Sequence, residues 1–244
     1  MNSSLTIAVP LYNEEAGIKN LHDILKPIIQ ELQLNRRIET ILVNDGSTDN
    51  SEKLLYQYFS KVPNVKIMNH EKNLNLGGFL NTIIKNCETE FVVFLDSDCT
   101  FDPNYIFDML KLIDDGTDII NGSPYHPDGR IDGVKKSRLF ISYSCNFIYR
   151  KITRVDIYTF TSILKMYRMS SIKDIKIQNA GFVSVAELFV KSVQEGSSVK
   201  EFPCTLSIRQ LGESKINIVN SIVNHIKFIT QLLTKKITSL SKYN

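Results

Sequence analysis

The stretch Phe91–Thr100 reads FVVFLDSDCT. Its five opening residues are all apolar, too few for a helix and without polar alternation. That is the pattern of a strand covered on both faces. Asp96 and Asp98 follow at once, separated only by Ser97. Two carboxylates at the end of a buried strand repel and raise each other's pKa, and a hard divalent cation with oxygen ligands removes that penalty. Mg2+ or Mn2+ takes one or two protein carboxylates and completes its shell with water and substrate phosphate, so Asp96 and Asp98 form a candidate site for either ion. The competing reading is a solvated loop, with Asp102 before Pro103 capping the next helix.

Outward from this run the chain alternates between two periods. On the amino-terminal side, Leu5–Pro10 and Ile38–Val43 read as strands and Val65–Met68 as a shorter one. Between them, residues 15–33, Ser51–Phe59 and Gly78–Cys87 carry helical spacing. On the other side Pro103–Ile113 reads as a helix with proline near its start, and Asp118–Asn121 as a strand. Strand and helix in turn, with short connections, predict parallel βαβ units. The expected fold class is α/β: an open, twisted, mostly parallel sheet with helices on both faces. Ligands of such sheets bind beyond the carboxyl ends of the strands. Residues 122–135, rich in Gly, Pro and Asp, then read as a long loop. Beyond it, 136–150 and 183–195 read as helices, Tyr158–Tyr167 as a strand, 198–209 as one or two strands around Pro203, and 216–240 as an amphipathic helix or helix pair.

Three further polar clusters fall where strands should end: Pro10-Leu11-Tyr12-Asn13-Glu14-Glu15, Asn44-Asp45-Gly46-Ser47-Thr48-Asp49, and Arg209 followed by Gly212-x-Ser214-Lys215. The first two each suit a turn and a helix cap. They equally suit a nucleoside site, with the Tyr12 ring against a base, Glu14 on a ribose hydroxyl, and Asp45 accepting from a base imide or a ribose.

Taken together, VPLYNEE, VNDGSTDNS and FLDSDCTFDP, in this order and spacing, resemble the family 2 glycosyltransferases. NLNLGGFLNTII, Asn121–Tyr125, Tyr158–Arg168, Gly181-Phe182 with Glu187, Glu201-x-Pro203, Arg209 and Gly212-x-Ser214-Lys215 resemble that family's dolichyl- or polyprenyl-phosphate mannosyl- and glucosyltransferase branch. The resemblance implies a GT-A, Rossmann-like fold and inverting transfer of a hexose from a nucleotide-diphosphate sugar, UDP- or GDP-linked, to a lipid-linked acceptor. It implies that Pro10, Tyr12, Glu14, Val43 and Asp45 hold the nucleoside and that Asp96, Ser97 and Asp98 hold metal and diphosphate. Arg209 and Lys215 would contact phosphates, and Lys165 keeps a cation where the family has arginine. Asp98, Glu187 and Arg209 are the expected catalytic residues, Glu187 as a base from its matched helix position or else as a structural partner of a basic residue. A hydroxyl acceptor needs a base; a phosphate, already anionic, does not. Three positions depart from the family pattern. Pro124 stands where the family has arginine, with Arg130 as a substitute; Thr100 keeps only a hydroxyl; and Ile163-Leu164-Lys165 loses the bidentate fork. Transfer to a saccharide hydroxyl, or an inert nucleotide-sugar-binding subunit, are the alternatives. A nucleotidyltransferase lacks its Gly-rich basic signature near the first strand. His22, His70 and His225 join no constellation, and His126 sits in the loop, near a possible acceptor.

Residues 134–154 carry Lys135, Lys136, Arg138, Arg150, Lys151 and Arg154 among Leu139, Phe140, Tyr143, Phe147 and Ile148, with no acid. Residues 215–244 also lack acids and repeat apolar positions at helical spacing. Either the apolar faces are buried against the domain or they meet a membrane surface. The expected organisation is one domain over 1–215 and a helical segment over 216–244 packed on it or on a membrane. A charge of +3, from 29 basic and 26 acidic residues, gives no nucleic-acid footprint. Cys87, Cys99, Cys145 and Cys204 lack C-x-x-C spacing, which argues against a zinc ribbon or redox dithiol. The polar start, without a signal peptide or an 18-residue apolar run, predicts a cytoplasmic protein able to sit on a membrane surface.

Overall fold

In the computed structural model, residues 3–134, 136–208 and 218–240 are described. The chain begins β1 (Leu5–Leu11), α1 (Ile18–Gln33), β2 (Ile38–Asn44), α2 (Ser51–Phe59), β3 (Val65–Asn69), α3 (Asn75–Asn86), β4 (Phe91–Phe94), α4 (Tyr105–Lys111) and β5 (Ile119–Ser123). It continues β6 (Arg130–Ile131), α5 (Lys136–Thr153), β7 (Lys165–Arg168), α6 (Met169–Ile172), α7 (Val183–Gln194), β8 (Val199–Pro203), β9 (Thr205–Leu206) and α8 (Ile218–Leu240). Seven strands form one sheet in the order β3-β2-β1-β4-β7-β5-β8, and β6 pairs with β9 apart from it. β3, β2, β1 and β4 are mutually parallel, as are β5 and β8; β7 alone runs antiparallel, between β4 and β5. The carboxyl ends of β1, β2, β3, β4, β5 and β8 therefore share one edge, and β7 begins there.

β1 and β4 lie inside the sheet and are buried along almost their whole length, which explains their uninterrupted apolar runs. The chain steps one way from β1 to β3 and returns across the sheet to β4. Accordingly α1 and α2 pack on each other while α3, α7, α5 and α8 form a second group. At the α3–α7 junction Gly77 lets the backbone of Asn179 come so close that a methyl group would overlap its carbonyl oxygen. Asn81 ties down the same segment, donating to the Ile177 carbonyl at 3.0 Å and accepting its N–H at 3.2 Å.

The expected strand Tyr158–Tyr167 is corrected to Lys165–Arg168. Residues before it need no ladder, because side chains accept their N–H groups. Glu201 takes those of Tyr158 and Thr159 at 2.8 and 3.0 Å, Asn146 that of Phe160 at 2.8 Å, and Ser162 that of Leu164 at 3.2 Å. Of the expected 122–135 loop, Gly122 and Ser123 belong to the end of β5, and β6 forms within the described remainder. The C-terminal segment, over its described residues, is one helix, whose Phe228 and Leu232 are buried. All four cysteines are free, and burial pushes the thiols of Cys99, Cys145 and Cys204 up to about 12.

Lys165 was expected among the phosphate contacts, but the structure places it in the core. Its side chain is wholly buried, its ammonium donates to the Ser162 carbonyl, and it lies 5.2 Å from the centre of the Phe189 ring. The β7 strand starts at the site edge but turns this residue inward, so the ammonium has no surface to offer a ligand. Burial pushes its pKa down to about 7, with Glu201 opposing the shift.

Two predictions follow from this packing. Gly77→Ala should cost about 1–3 kcal/mol of stability, as overpacking of a tight contact does; an unchanged urea midpoint would contradict the close approach. For Lys165, the unfolded chain keeps a proton between pH 7 and 10 that the folded chain has released, so this group makes stability rise with pH across that window. Lys165→Met should be more stable than the parent at pH 7, by a margin that shrinks toward pH 10. A margin independent of pH in urea titrations would contradict it.

Candidate active site

The loops after β1 and β2 are stitched together by their own polar residues. Asn13, in the left-handed region at φ 52°, donates its N–H to Ser47 Oγ at 3.0 Å and accepts that of Thr48 at 2.8 Å. The Glu14 N–H donates to Ser51 Oγ at 2.7 Å and that of Glu15 to Asp49 at 3.2 Å, while Glu15 accepts the Asn50 N–H at 3.0 Å. Asp49 also caps the Ser51 N–H at 2.9 Å. Asn13, Glu15, Ser47, Thr48 and Asp49 thus serve as turn and cap residues of the two loops that carry Tyr12, Glu14 and Asp45. Pro10 stands opposite Val43 in the β1–β2 register. Val43 is fully covered, so it fixes the strand end rather than offering a side-chain surface. Tyr12 is half-buried and Glu14 buried.

Asp45 lies just past β2, and its N–H donates to the Leu11 carbonyl at 2.8 Å. Its Oδ1 accepts two hydrogen bonds, from the Leu74 N–H at 2.8 Å and from His70 Nδ1 at 2.7 Å. The far side of that imidazole, Nε2, meets Thr82 Oγ1 at 2.8 Å. Gly46, at φ +67°, brings this turn against Lys72–Asn73, where a side chain would collide with backbone. His70 was read as belonging to no constellation, and the structure corrects this. The available signal was its position, directly after a strand that ends on the ligand edge.

β4 delivers the paired aspartates beside these loops, with the Leu95 N–H donating to the Ala8 carbonyl at 3.1 Å. Thr100 Oγ1 donates to Asp96 Oδ2, and the Thr100 N–H to Asp98 Oδ1 at 3.4 Å. Asp96 Oδ1 is sealed from solvent and has no hydrogen-bond partner. Burial, then the charge of Asp98, pushes Asp96 up to about 8. Ser97 is half-exposed between them. Among the described residues no group of three His, Cys, Asp or Glu side chains gathers to hold a metal. Phe101 bridges to Leu206, and the Ser207 N–H donates to the Thr100 carbonyl at 2.9 Å. Arg209 and Lys215 lie outside the described residues. Arg130, the substitute for arginine at Pro124, is ion-paired with Asp132 at 2.8 Å.

Glu187 is also corrected. Its side chain is 1% exposed. One carboxylate accepts the N–H groups of Gln178 at 3.1 Å and Asn179 at 2.8 Å and the Asn179 amide at 3.0 Å, and pairs with Lys191 at 2.6 Å. Burial pushes its pKa up, but Lys191 and the Asn179 and Gln178 donors together hold it below the usual range. A carboxylate so engaged is a poor proton acceptor. It braces the segment that Gly77 and Asn81 hold from the other side.

The two basic helices divide their faces. Tyr149 of α5 is buried against Phe228 of α8, and its hydroxyl meets His225 Nδ1 at 2.8 Å. On the outer side of α5, Phe140 is 74%, Tyr143 61% and Phe147 53% exposed, with Lys151 Nζ 5.4 Å from the Phe147 ring centre. Ile226 and Leu233 of α8 are exposed as well. Lys135 and the side chains of Lys136 and Arg138 lie outside the described residues. Among the described residues no helix is long and apolar enough to cross a membrane.

The chain is similar to known proteins in sequence and in fold. A dolichol-phosphate mannosyltransferase of Pyrococcus furiosus is 26% identical over 231 residues, 94% of this chain and 63% of that protein. A polyprenol monophosphomannose synthase of Mycolicibacterium smegmatis is 26% identical over 220 residues, 86% of this chain and 80% of that protein. The chain thus spans less than two thirds of the Pyrococcus protein. In structure, glucosyl-3-phosphoglycerate synthase of Mycobacterium tuberculosis, in complex with Mn2+, UDP and glucosyl-3-phosphoglycerate, matches with a TM-score of 0.69 at 14% identity, over 96% of this chain and 79% of that one. That likeness establishes the open α/β sheet as the GT-A fold. Residues 6–176 match the family described as Glycosyl transferase family 2. With more than half of its length matched and its site loops inside that span, the chain belongs to glycosyl transferase family 2.

Proposed function

We propose that the protein is a metal-dependent, inverting hexosyltransferase that moves a sugar from a UDP- or GDP-linked donor to a polyprenyl-phosphate acceptor. The observation that carries this reading is the placement of Asp96 and Asp98 on the same sheet edge as Tyr12, Glu14 and Asp45, with a buried Asp96 oxygen left without a partner. A carboxylate oxygen of that kind suits a divalent cation better than a solvated loop. Asp98 and Asp96 would hold Mg2+ or Mn2+, which when bound neutralises charge on the departing nucleoside diphosphate. Tyr12, Glu14 and Asp45 orient the nucleoside, so that the anomeric carbon is presented on the aspartate side. The sugar gains oxocarbenium character as the diphosphate leaves, and cations along its path stabilise the transition state more than the ground state. Arg209 and Lys215, which follow the segment bonded to the aspartate loop, are proposed as those cations.

The engagement of Glu187 favours the phosphate acceptor over a saccharide hydroxyl. A phosphate monoester is already anionic at neutral pH and attacks without a base, whereas a hydroxyl has to lose its proton. The names of the Pyrococcus and Mycolicibacterium relatives support the same acceptor class. The structural neighbour's bound Mn2+ and UDP support a metal and a nucleoside diphosphate. The exposed aromatic and basic face of α5 suits peripheral contact with an anionic leaflet, where such an acceptor resides.

Purified protein should transfer hexose from one of a panel of UDP- and GDP-sugars to polyprenyl phosphate in the presence of Mn2+. Chelation, or Asp98→Asn, should reduce the rate by at least about a hundredfold, the scale of losing a principal electrostatic stabiliser. Transfer that persists under chelation and in the variant would overturn the metal role, and transfer only to saccharide hydroxyls would overturn the acceptor.

A further inference from the structure

We propose that His70 is a positioning residue for donor recognition: with Leu74 it pins one oxygen of Asp45 so that the other is presented to the N–H edge of the donor's base. The inference rests on the nucleoside role given to Asp45 above and deepens it. Asp45 Oδ1 takes both available donors, the Leu74 N–H at 2.8 Å and His70 Nδ1 at 2.7 Å. Oδ2 accepts no hydrogen bond among the described residues, yet it is not among the sealed, partnerless atoms. One oxygen is therefore held twice and the other is left open.

The direction of each bond follows from the groups. A carboxylate only accepts, so His70 Nδ1 carries the proton, and in the neutral ring Nε2 accepts the hydroxyl proton of Thr82 at 2.8 Å. The His70 N–H is itself anchored on the Asn44 carbonyl at 2.9 Å, one residue before Asp45. The ring is thus fixed at its backbone, at Nδ1 and at Nε2, and spans from α3 to the end of β2. A carboxylate so oriented meets an imide or amide N–H, the group that uracil and guanine both offer, without first paying to freeze its own rotation. His70 is too far down this chain of bonds to be called a ligand contact; it acts through Asp45.

The test is calorimetric titration of UDP and GDP, with Mn2+, into the full-length protein. The comparison uses the same nucleotides methylated at the base N–H (3-methyluridine and 1-methylguanosine diphosphates). His70→Phe keeps the ring's bulk and removes both bonds. It should weaken the preferred nucleotide about tenfold, the worth of one hydrogen bond to a charged group. The roughly tenfold penalty that methylation imposes on the parent should fall below about threefold in the variant. His70→Asn, whose amide can replace the Nδ1–H, should restore binding to within about threefold. Thr82→Val, nearly isosteric, should weaken binding about threefold with the fold intact, which keeps the idea testable if His70→Phe misfolds. If the parent binds a nucleotide and the His70 and Thr82 variants bind it equally well with an unchanged methylation penalty, the positioning role is overturned and the donor reading survives. If the parent binds neither nucleotide, the donor reading fails and this inference falls with it.

Discussion

Negative charge at the end of a strand that has no access to water sets the terms for this molecule. β4 is buried on both faces, and the chain leaving it carries Asp96 and Asp98 into a loop where one carboxylate oxygen meets neither solvent nor a donor. Burial and the charge of Asp98 push Asp96 up to about 8, and a cation held between two such carboxylates would keep both ionised. The surrounding loops are built to keep this edge rigid. The turns after β1 and β2 spend their polar side chains on each other, the β9 segment bonds across to Thr100, and β7 enters the sheet at the same edge. A site whose transition state is electrostatic needs that rigidity, because oriented charges stabilise only what they are already aimed at.

The edge proposed to hold the donor was legible in the sequence because it is written in strand ends. A buried parallel strand announces itself by composition, and the ligand edge follows from topology, so Tyr12, Asp45, Asp96 and Asp98 could be placed before any coordinates. What could not be read was the direction in which a side chain turns once its strand is placed. Lys165 and Glu187 both occupy suitable positions along the chain, yet the first points into the core and the second is consumed by the N–H groups of a neighbouring turn. The Tyr158–Leu164 segment carries residues of high strand propensity but has its backbone satisfied by Glu201 and Asn146, partners about forty and fourteen residues away in sequence. His70 was passed over for the converse reason: alone in its segment, it gains meaning only when β3 brings it beside β2.

These corrections bear on the acceptor more than on the donor. Lys165 lies in the core and Glu187 is held by its neighbours, so the proposed acceptor has to be met by other residues. α5 is clamped to α8 through Tyr149, His225 and Phe228, while its Phe140, Tyr143 and Phe147 remain exposed. A helix held on one side and exposing aromatic residues on the other suits the lipid-linked acceptor proposed above.

Diffraction from crystals grown with Mn2+ and the nucleotide the protein prefers, collected at the manganese absorption edge, tests the central claim most directly. The account predicts one anomalous peak at direct-ligation distance, about 2.1 Å, from a carboxylate oxygen of Asp98, with the diphosphate on the same ion and the base beside Asp45. A nucleotide bound elsewhere, or bound here with no metal between it and the paired aspartates, would contradict it.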